Sequence, residues 1–265
     1  MYRSTENQKI KLPQLLNNDH NTKHALVTGV SRGIGRAIAV KLLAEGFSVT
    51  GTHSKSAVPD ELQQHPRFNA IKADFFNAAE VTDKIGPVLR SDNAPGVLIN
   101  NAGIAAGFDM LDEDDAGWMA HSAGTMLVNY TIPAMLTRWV LPVWIHRGNG
   151  VLINIASRAA YRGDTGEFAD YAASKAALTA FTKSVAREYS CHRITAVTIA
   201  PGFIETDMAS DAIRLYGKDH VMKGLAVPEL TQPSDVAEVV SAVAAGRMLH
   251  ITGTTIHVNG GSYLI

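Results

Sequence analysis

Tyr171 and Lys175 stand four residues apart in Tyr171-Ala172-Ala173-Ser174-Lys175. At that spacing a helix presents phenol and ammonium on one face. A phenol ionises near pH ~10, too high for ready proton exchange at neutrality, and a nearby cation stabilises the phenolate. The pair suits proton donation to an oxygen that gains negative charge, with Lys175 tuning Tyr171. Ser157 follows Ile155-Ala156 at the end of a β-branched run, where its hydroxyl can hydrogen-bond a carbonyl oxygen. Taken singly, each residue has a blander reading as a surface neighbour or a turn residue.

A second group is Thr28-Gly29-Val30-Ser31-Arg32-Gly33-Ile34-Gly35, placed where a strand-like run gives way to a helix-like one. Glycines there permit a tight turn and close approach of a diphosphate to free backbone N–H groups at the helix start. The spacing is G-x-x-x-G-x-G, which departs from the common G-x-G-x-x-G. About 20 residues further on, an NAD site usually places an acid against the adenosine ribose. Residues 47–56 contain none and end in His53-Ser54-Lys55-Ser56. With Arg32 in the turn, a 2′-phosphate would meet cations and hydroxyls, which favours NADP(H) over NAD. The blander reading makes Arg32 and Lys55 solvated surface charges. The ten histidines form no H-E-x-x-H or comparable ligand spacing, so no metal is expected.

Strand ends and helix starts must position these groups, and the chain alternates between the two. Short apolar runs alternate with longer amphipathic ones, the pattern of parallel strands joined by crossover helices. Strands are predicted over 24–28, 47–52, 68–73, 97–100, 151–155, 195–199 and 254–258. Helices are predicted over 33–46, 78–89, 112–147 with a break near Gly124, 171–190 and 234–245. Ile34, Ile38 and Leu42 stripe one face of the first helix. The expected fold is α/β, a Rossmann-type doubly wound seven-stranded parallel sheet in a single domain over 24–265. A polar extension, 1–23, precedes it. Residues 202–232 show no period and form a candidate substrate lid, with Met208, Leu215, Tyr216, Met222 and Leu225 as an apolar lining.

Composition narrows the function. Of the 265 residues, 46% are hydrophobic and 18% charged, which excludes an intrinsically disordered chain. Lys plus Arg total 24 against 25 acids, so no general electrostatic pull toward nucleic acid or anionic membrane is expected. The longest apolar run, 132–145, is interrupted by Thr137 and Arg138, so no membrane span is expected. Cys191, the single cysteine, fits a reducing compartment, and a cytoplasmic location is expected.

Together these segments resemble the short-chain dehydrogenase/reductase family, from about His24 to the C-terminus. The family's glycine motif matches Thr28 to Gly35, and its Asn-Asn-Ala-Gly motif matches Asn100-Asn101-Ala102-Gly103. Its catalytic Asn, Ser, Tyr and Lys match Asn129, Ser157, Tyr171 and Lys175, and Pro201-Gly202-Phe203-Ile204-Glu205-Thr206 matches the segment that touches the nicotinamide end. The resemblance implies metal-free hydride transfer between the nicotinamide of NADP(H) and a carbonyl or secondary alcohol. Tyr171 would protonate the oxygen, Ser157 would polarise it, Lys175 would also hold the nicotinamide ribose, and Asn129 would position a relay water. The diphosphate end would lie on Gly29, Ser31, Arg32, Gly33, Ile34 and Gly35, and the adenosine end on Ser54, Lys55, Asp74 and Phe75. Asn101, Ala102 and Gly103 would also contact the cofactor, and Pro201, Gly202, Ile204 and Thr206 would meet its nicotinamide end.

Within the family, 200–208 and 251–261 are most similar to 3-oxoacyl-[acyl-carrier-protein] reductases. That branch implies a fatty-acid or polyketide type acyl thioester on acyl carrier protein or CoA, and a homotetramer. It also implies a basic rim for the acidic carrier, for which Arg147, His192 and Arg193 are the candidates. Two readings stand beside it: an NADP(H)-dependent alcohol dehydrogenase or ketone reductase for a free small molecule, and a non-catalytic module sensing cofactor redox state.

Overall fold

The computed structural model describes residues 23–111, 114–205 and 224–265. The seven strands are β1 (His24–Val27), β2 (Ser48–His53), β3 (Phe68–Lys72), β4 (Val97–Asn100), β5 (Gly150–Ile155), β6 (Ile194–Pro201) and β7 (Thr255–Val258). They form one sheet in the order β3-β2-β1-β4-β5-β6-β7, every neighbouring pair parallel. The chain winds outward from β1 to β3 and then returns to β4 beside β1. That reversal opens a crevice at the carboxyl ends of β1 and β4, the place where open α/β sheets bind ligands.

Strand parity assigns the two faces of the sheet. Val27, Ile99, Ile153 and Val197 face one layer, where Ile38 and Leu42 of α1 (Gly33–Ala44) pack with Val236 and Val240 of the C-terminal helix Pro233–Ala244. Leu26, Leu98, Leu152 and Ala196 face the other layer. There they meet Val81 of α3 (Ala78–Lys84), Leu89 of α4 (Gly86–Arg90), Leu136 and Trp144 of α6 (Ile132–Arg147), and Val185 of α8 (Ala169–Tyr189). Burial on both sides explains why these strands read as continuous apolar runs.

Two helices differ from expectation. The stretch expected as one helix over 78–89 is divided at Ile85, because Pro87 supplies no N–H for the carbonyl four residues back and its ring crowds that carbonyl. The break expected near Gly124 is absent. Helix α5 (Asp115–Met126) instead continues through a π turn, Leu127–Thr131, directly into α6. In a regular helix the Pro133 ring would clash with the carbonyl four residues back, that of Asn129, and the widened turn relieves this. Two short helices had no period to announce them: α2 (Asp60–Gln63) and α7 (Ala159–Arg162). The C-terminal helix is α9. Asp114 caps α5 by accepting the Gly117 N–H at 2.7 Å, so part of the acidic 109–115 stretch serves helix initiation; residues 112 and 113 lie outside the described residues.

Candidate active site

The glycine turn is held thin by its neighbours. Gly29 has φ +74°, and a side chain there would bring its Cβ within 3.1 Å of the Ala102 Cα. A Cβ on Gly35 would fall 2.0 Å from the Gly29 carbonyl oxygen and 2.4 Å from Asn101 Nδ2. Asn101 Nδ2 donates to the Thr28 and Gly29 carbonyls at 2.9 and 3.1 Å. Thr28 Oγ1 accepts the Asn101 and Ala102 N–H groups, each at 2.9 Å. The β1 and β4 ends are therefore laced together by side chains on both. Arg32 is the N-cap of α1 in extended backbone, its side chain makes no capping hydrogen bond, and the first turn carries no acid. The helix-start amides and the positive end of α1 thus face the crevice, a floor that fits the diphosphate of a dinucleotide.

At the adenosine end Ser54 is half-buried and Lys55 exposed, while His53 Nδ1 sits 3.0 Å from the Ser56 carbonyl oxygen. Asp74 Oδ1 accepts the Phe76 N–H at 3.1 Å. Phe75 corrects one expectation. Its ring is buried in the core with Ala73 and Val81, so its side chain faces away from the crevice and only its backbone can border an adenine.

Asn129, in the π turn, is fully buried. Its Oδ1 accepts the Ile104 N–H at 2.8 Å, and its Nδ2 donates to the Ile104 carbonyl at 2.9 Å and to Ser174 Oγ at 3.0 Å. This side chain fastens the loop after β4 to α8. Gly103 lies against the same cluster, since a Cβ there would be 3.1 Å from both Asn129 Oδ1 and Lys175 Nζ. Lys175 is buried and donates from Nζ to the Ile155 carbonyl at the end of β5, at 2.9 Å. Its Nζ lies 5.9 Å from the Tyr171 ring centroid. Ser157, also at the β5 end, accepts the Ala159 N–H at 3.1 Å and hydrogen-bonds Tyr171.

The electrostatics separate the two members of the helical pair. Burial lowers the Lys175 ammonium to about 8. Burial raises the Tyr171 phenol above its ordinary value; the Ser157 hydrogen bond pulls it down, and Asp164 adds to the rise. The ammonium, expected to tune Tyr171, is anchored to a main-chain carbonyl with Nζ 5.9 Å from the Tyr171 ring centroid, and burial is the largest influence on the phenol.

On the far side of the site, the Gly202 N–H donates to the Val258 carbonyl at 2.9 Å, and buried Ile204 bridges Thr231. The Glu205 N–H donates to the Thr231 carbonyl at 2.9 Å, so the two described ends of the 202–232 segment meet. Ser31 and Ile34 occupy the turn and first helical residues as expected. Thr206, Met208, Leu215, Tyr216 and Met222 lie outside the described residues, as does most of the 1–23 extension. The proposed basic rim is corrected. Arg147, His192 and Arg193 precede β5 and β6, at the opposite edge of the sheet from Ser157. Arg147 there holds the Ala94 and Asp92 carbonyls. Ile104, Ile155 and Ser174, which contribute backbone or small hydroxyl partners, carry no such signal in the sequence.

A family model described as short chain dehydrogenase matches residues 23–214. The chain belongs to the short-chain dehydrogenase family. It is 34% identical over 251 residues to the 3-oxoacyl-[acyl-carrier-protein] reductase FabG of Staphylococcus aureus, covering 92% of this chain and 99% of that one. It is 35% identical over 252 residues to the FabG of Vibrio cholerae, covering 92% and 98%. Among solved structures, a protein provisionally assigned as a 2-deoxy-D-gluconate 3-dehydrogenase from Agrobacterium tumefaciens, with bound NADP, superposes with a TM-score of 0.78. That match has 26% identity and covers 91% of this chain and 96% of the other. A provisionally assigned gluconate dehydrogenase from the same organism superposes at 0.82 with 25% identity, covering 93% and 98%. This short-chain dehydrogenase thus has the seven-stranded Rossmann-like domain of its relatives and is an oxidoreductase by family. Among the described residues, no helix is long and apolar enough to cross a membrane.

Proposed function

We propose that the chain is an NADP(H)-dependent reductase that converts a ketone to a secondary alcohol, acting on the 3-oxoacyl group of an acyl-carrier-protein or CoA thioester. The observation that carries the reaction is the convergence of Asn129, Ser157, Tyr171 and Lys175 on one end of the sheet, beside the glycine turn. A bound nicotinamide supplies the hydride to the carbonyl carbon. Tyr171 gives its proton to the carbonyl oxygen, and Ser157 donates a hydrogen bond to that same oxygen as charge builds on it. A phenol held above its ordinary pKa is in the protonated state that reduction requires. Lys175 serves the ribose hydroxyls, and Asn129 holds the loop that places Gly103 against that ammonium.

NADP(H) is favoured by Arg32 at the helix start, by Ser54 and Lys55 after β2, and by the absence of any acid over 47–56. A relative with bound NADP supports the same choice. The thioester is supported by the FabG relatives, and by the same likeness we propose a homotetramer. Following NADPH oxidation with acetoacetyl thioesters against free cyclic and aryl ketones tests the substrate, and lack of thioester turnover removes that refinement. Tyr171→Phe tests the chemistry: kcat should fall about 10²–10⁴-fold with NADPH binding retained. Unchanged reduction by that variant overturns the assignment.

A further inference from the structure

The residue after Ser157 is a cation whose partners the proposed chemistry leaves unexplained. The Arg158 N–H donates to the Pro201 carbonyl at 2.9 Å, which ties the end of β5 to the end of β6 at the edge that holds Ser157. Its guanidinium carbon lies 4.4 Å from the centroid of the Phe203 ring, two residues past Pro201. The side chain is part-buried, and among the described residues its guanidinium makes no hydrogen bond and no ion pair. The charged groups that act on it are Arg162 and Asp164. Asp164 is engaged elsewhere, with Oδ1 3.5 Å from Arg162 Nη2 and accepting the Thr165 N–H at 3.0 Å. Burial and the neighbouring Arg162 lower the Arg158 pKa to about 10.

A guanidinium carries five N–H donors in a planar fork, and that fork matches a carboxylate or phosphate in bidentate geometry. Stacking on Phe203 fixes the plane of the fork and leaves its edges as the donors. A cation desolvated without a counter-charge is unfavourable alone and becomes favourable when an anion arrives.

We infer that Arg158 is an anion-binding subsite of the substrate pocket: the ketone that reaches Ser157 and Tyr171 belongs to a molecule carrying its own carboxylate or phosphate, which the Arg158 guanidinium receives. The inference rests on the reading of Ser157 and Tyr171 as the carbonyl-binding pair. It adds a substrate class, either a free oxo acid or an oxoacyl chain with an acidic substituent.

The test uses the full-length protein with two measurements. The first is kcat/KM with NADPH for acetoacetate, for its neutral methyl ester and for 2-oxopropylphosphonate. The second is binding of the same ketones to the protein saturated with NADP⁺, a complex in which no reduction can occur. A bidentate charge-assisted pair predicts that acetoacetate or the phosphonate binds about 10- to 100-fold more tightly than the methyl ester. Arg158→Met, which retains bulk against Phe203, should remove that preference and leave the methyl ester within about threefold; Arg158→Lys should restore part of it. Preference for acetoacetate identifies a carboxylate, and preference for the phosphonate identifies a phosphate. Equal binding of charged and neutral ketones to the wild type overturns the inference. So does a Met variant that loses both alike, the result of a purely structural clamp. If the anion binds through Arg158 but nothing is reduced, the subsite stands and the reductase reading falls. If ketones are reduced without regard to charge, the reverse holds.

Discussion

Lys175 is predicted to weaken the fold it sits in. Lys175 is 4% exposed, and the only hydrogen bond of its ammonium among the described residues goes to the Ile155 carbonyl. Its pKa falls to about 8 in the folded protein, whereas an unfolded lysine ionises near 10.4. Between those values the unfolded chain binds more protons than the folded one, so stability rises with pH across that window. The contribution is complete above about pH 10.5 and is lost as pH falls through about 8. At pH 7 that difference in pKa corresponds to roughly 3 kcal/mol of destabilisation, shrinking to below about 1 kcal/mol at pH 10. Lys175→Met keeps the length of the side chain and removes the charge, at the cost of the hydrogen bond to the Ile155 carbonyl, about 1 kcal/mol. The variant should therefore be about 2 kcal/mol more stable than wild type at pH 7 and no more stable at pH 10. Urea unfolding of both proteins at both pH values and equal concentration measures this, with catalysis lost in the variant. A variant less stable at pH 7, or a gain that does not change with pH, would show that the ammonium is not held at a desolvation cost.

Gly35→Ala should be severe, because the added carbon meets backbone at 2.0 Å and displaces the Asn101 side chain that joins Thr28 to Gly29. A loss of about 2–5 kcal/mol is expected, read as a large fall in Tm and in NADPH affinity. Gly166→Ala, with nothing within 4 Å, should leave both unchanged and serves as the control. Arg32→Ala should weaken NADPH binding about 10- to 100-fold and NADH binding far less, if its guanidinium meets the extra phosphate. Equal losses by titration calorimetry would assign Arg32 to the shape of the turn instead.

The strand runs, the glycine turn and the Tyr171–Lys175 pair are readable because each rests on local geometry. A doubly buried strand must be apolar throughout, a turn pressed on by Ala102 and Asn101 admits no side chain, and a four-residue spacing fixes a helical face. What escaped were features set by partners distant in sequence. Lys175 bonds a main-chain carbonyl, which no residue type announces. Phe75, expected at the adenine, turns its ring into the core beside Ala73, a parity set by the strand before it. In place of a break near Gly124 the helix widens before Pro133, whose ring forbids a regular turn around Asn129, because proline perturbs a helix more strongly than glycine. Charge alone makes Arg147, His192 and Arg193 candidates for a basic rim, whereas their position before β5 and β6 consigns them to the opposite edge.

These differences divide the site by the kind of atom that builds it. The groups proposed to move the proton are oriented largely by backbone: Lys175 by the Ile155 carbonyl, Asn129 by both backbone groups of Ile104, Ser157 by the Ala159 N–H. Substituting the side chains of Ile104 or Ile155 for others of similar volume leaves those bonds in place, so the chemistry is insulated from change around it. Arg158 and Phe203 are held differently. Their mutual contact is side chain on side chain, and only the Arg158 N–H is committed to the sheet edge. Either can be exchanged without disturbing the backbone bonds that seat Lys175 and Asn129. Substrate choice can therefore drift on this scaffold while the reaction persists, and the residues that name the substrate must be sought beside Ser157 rather than among the four that act on the carbonyl.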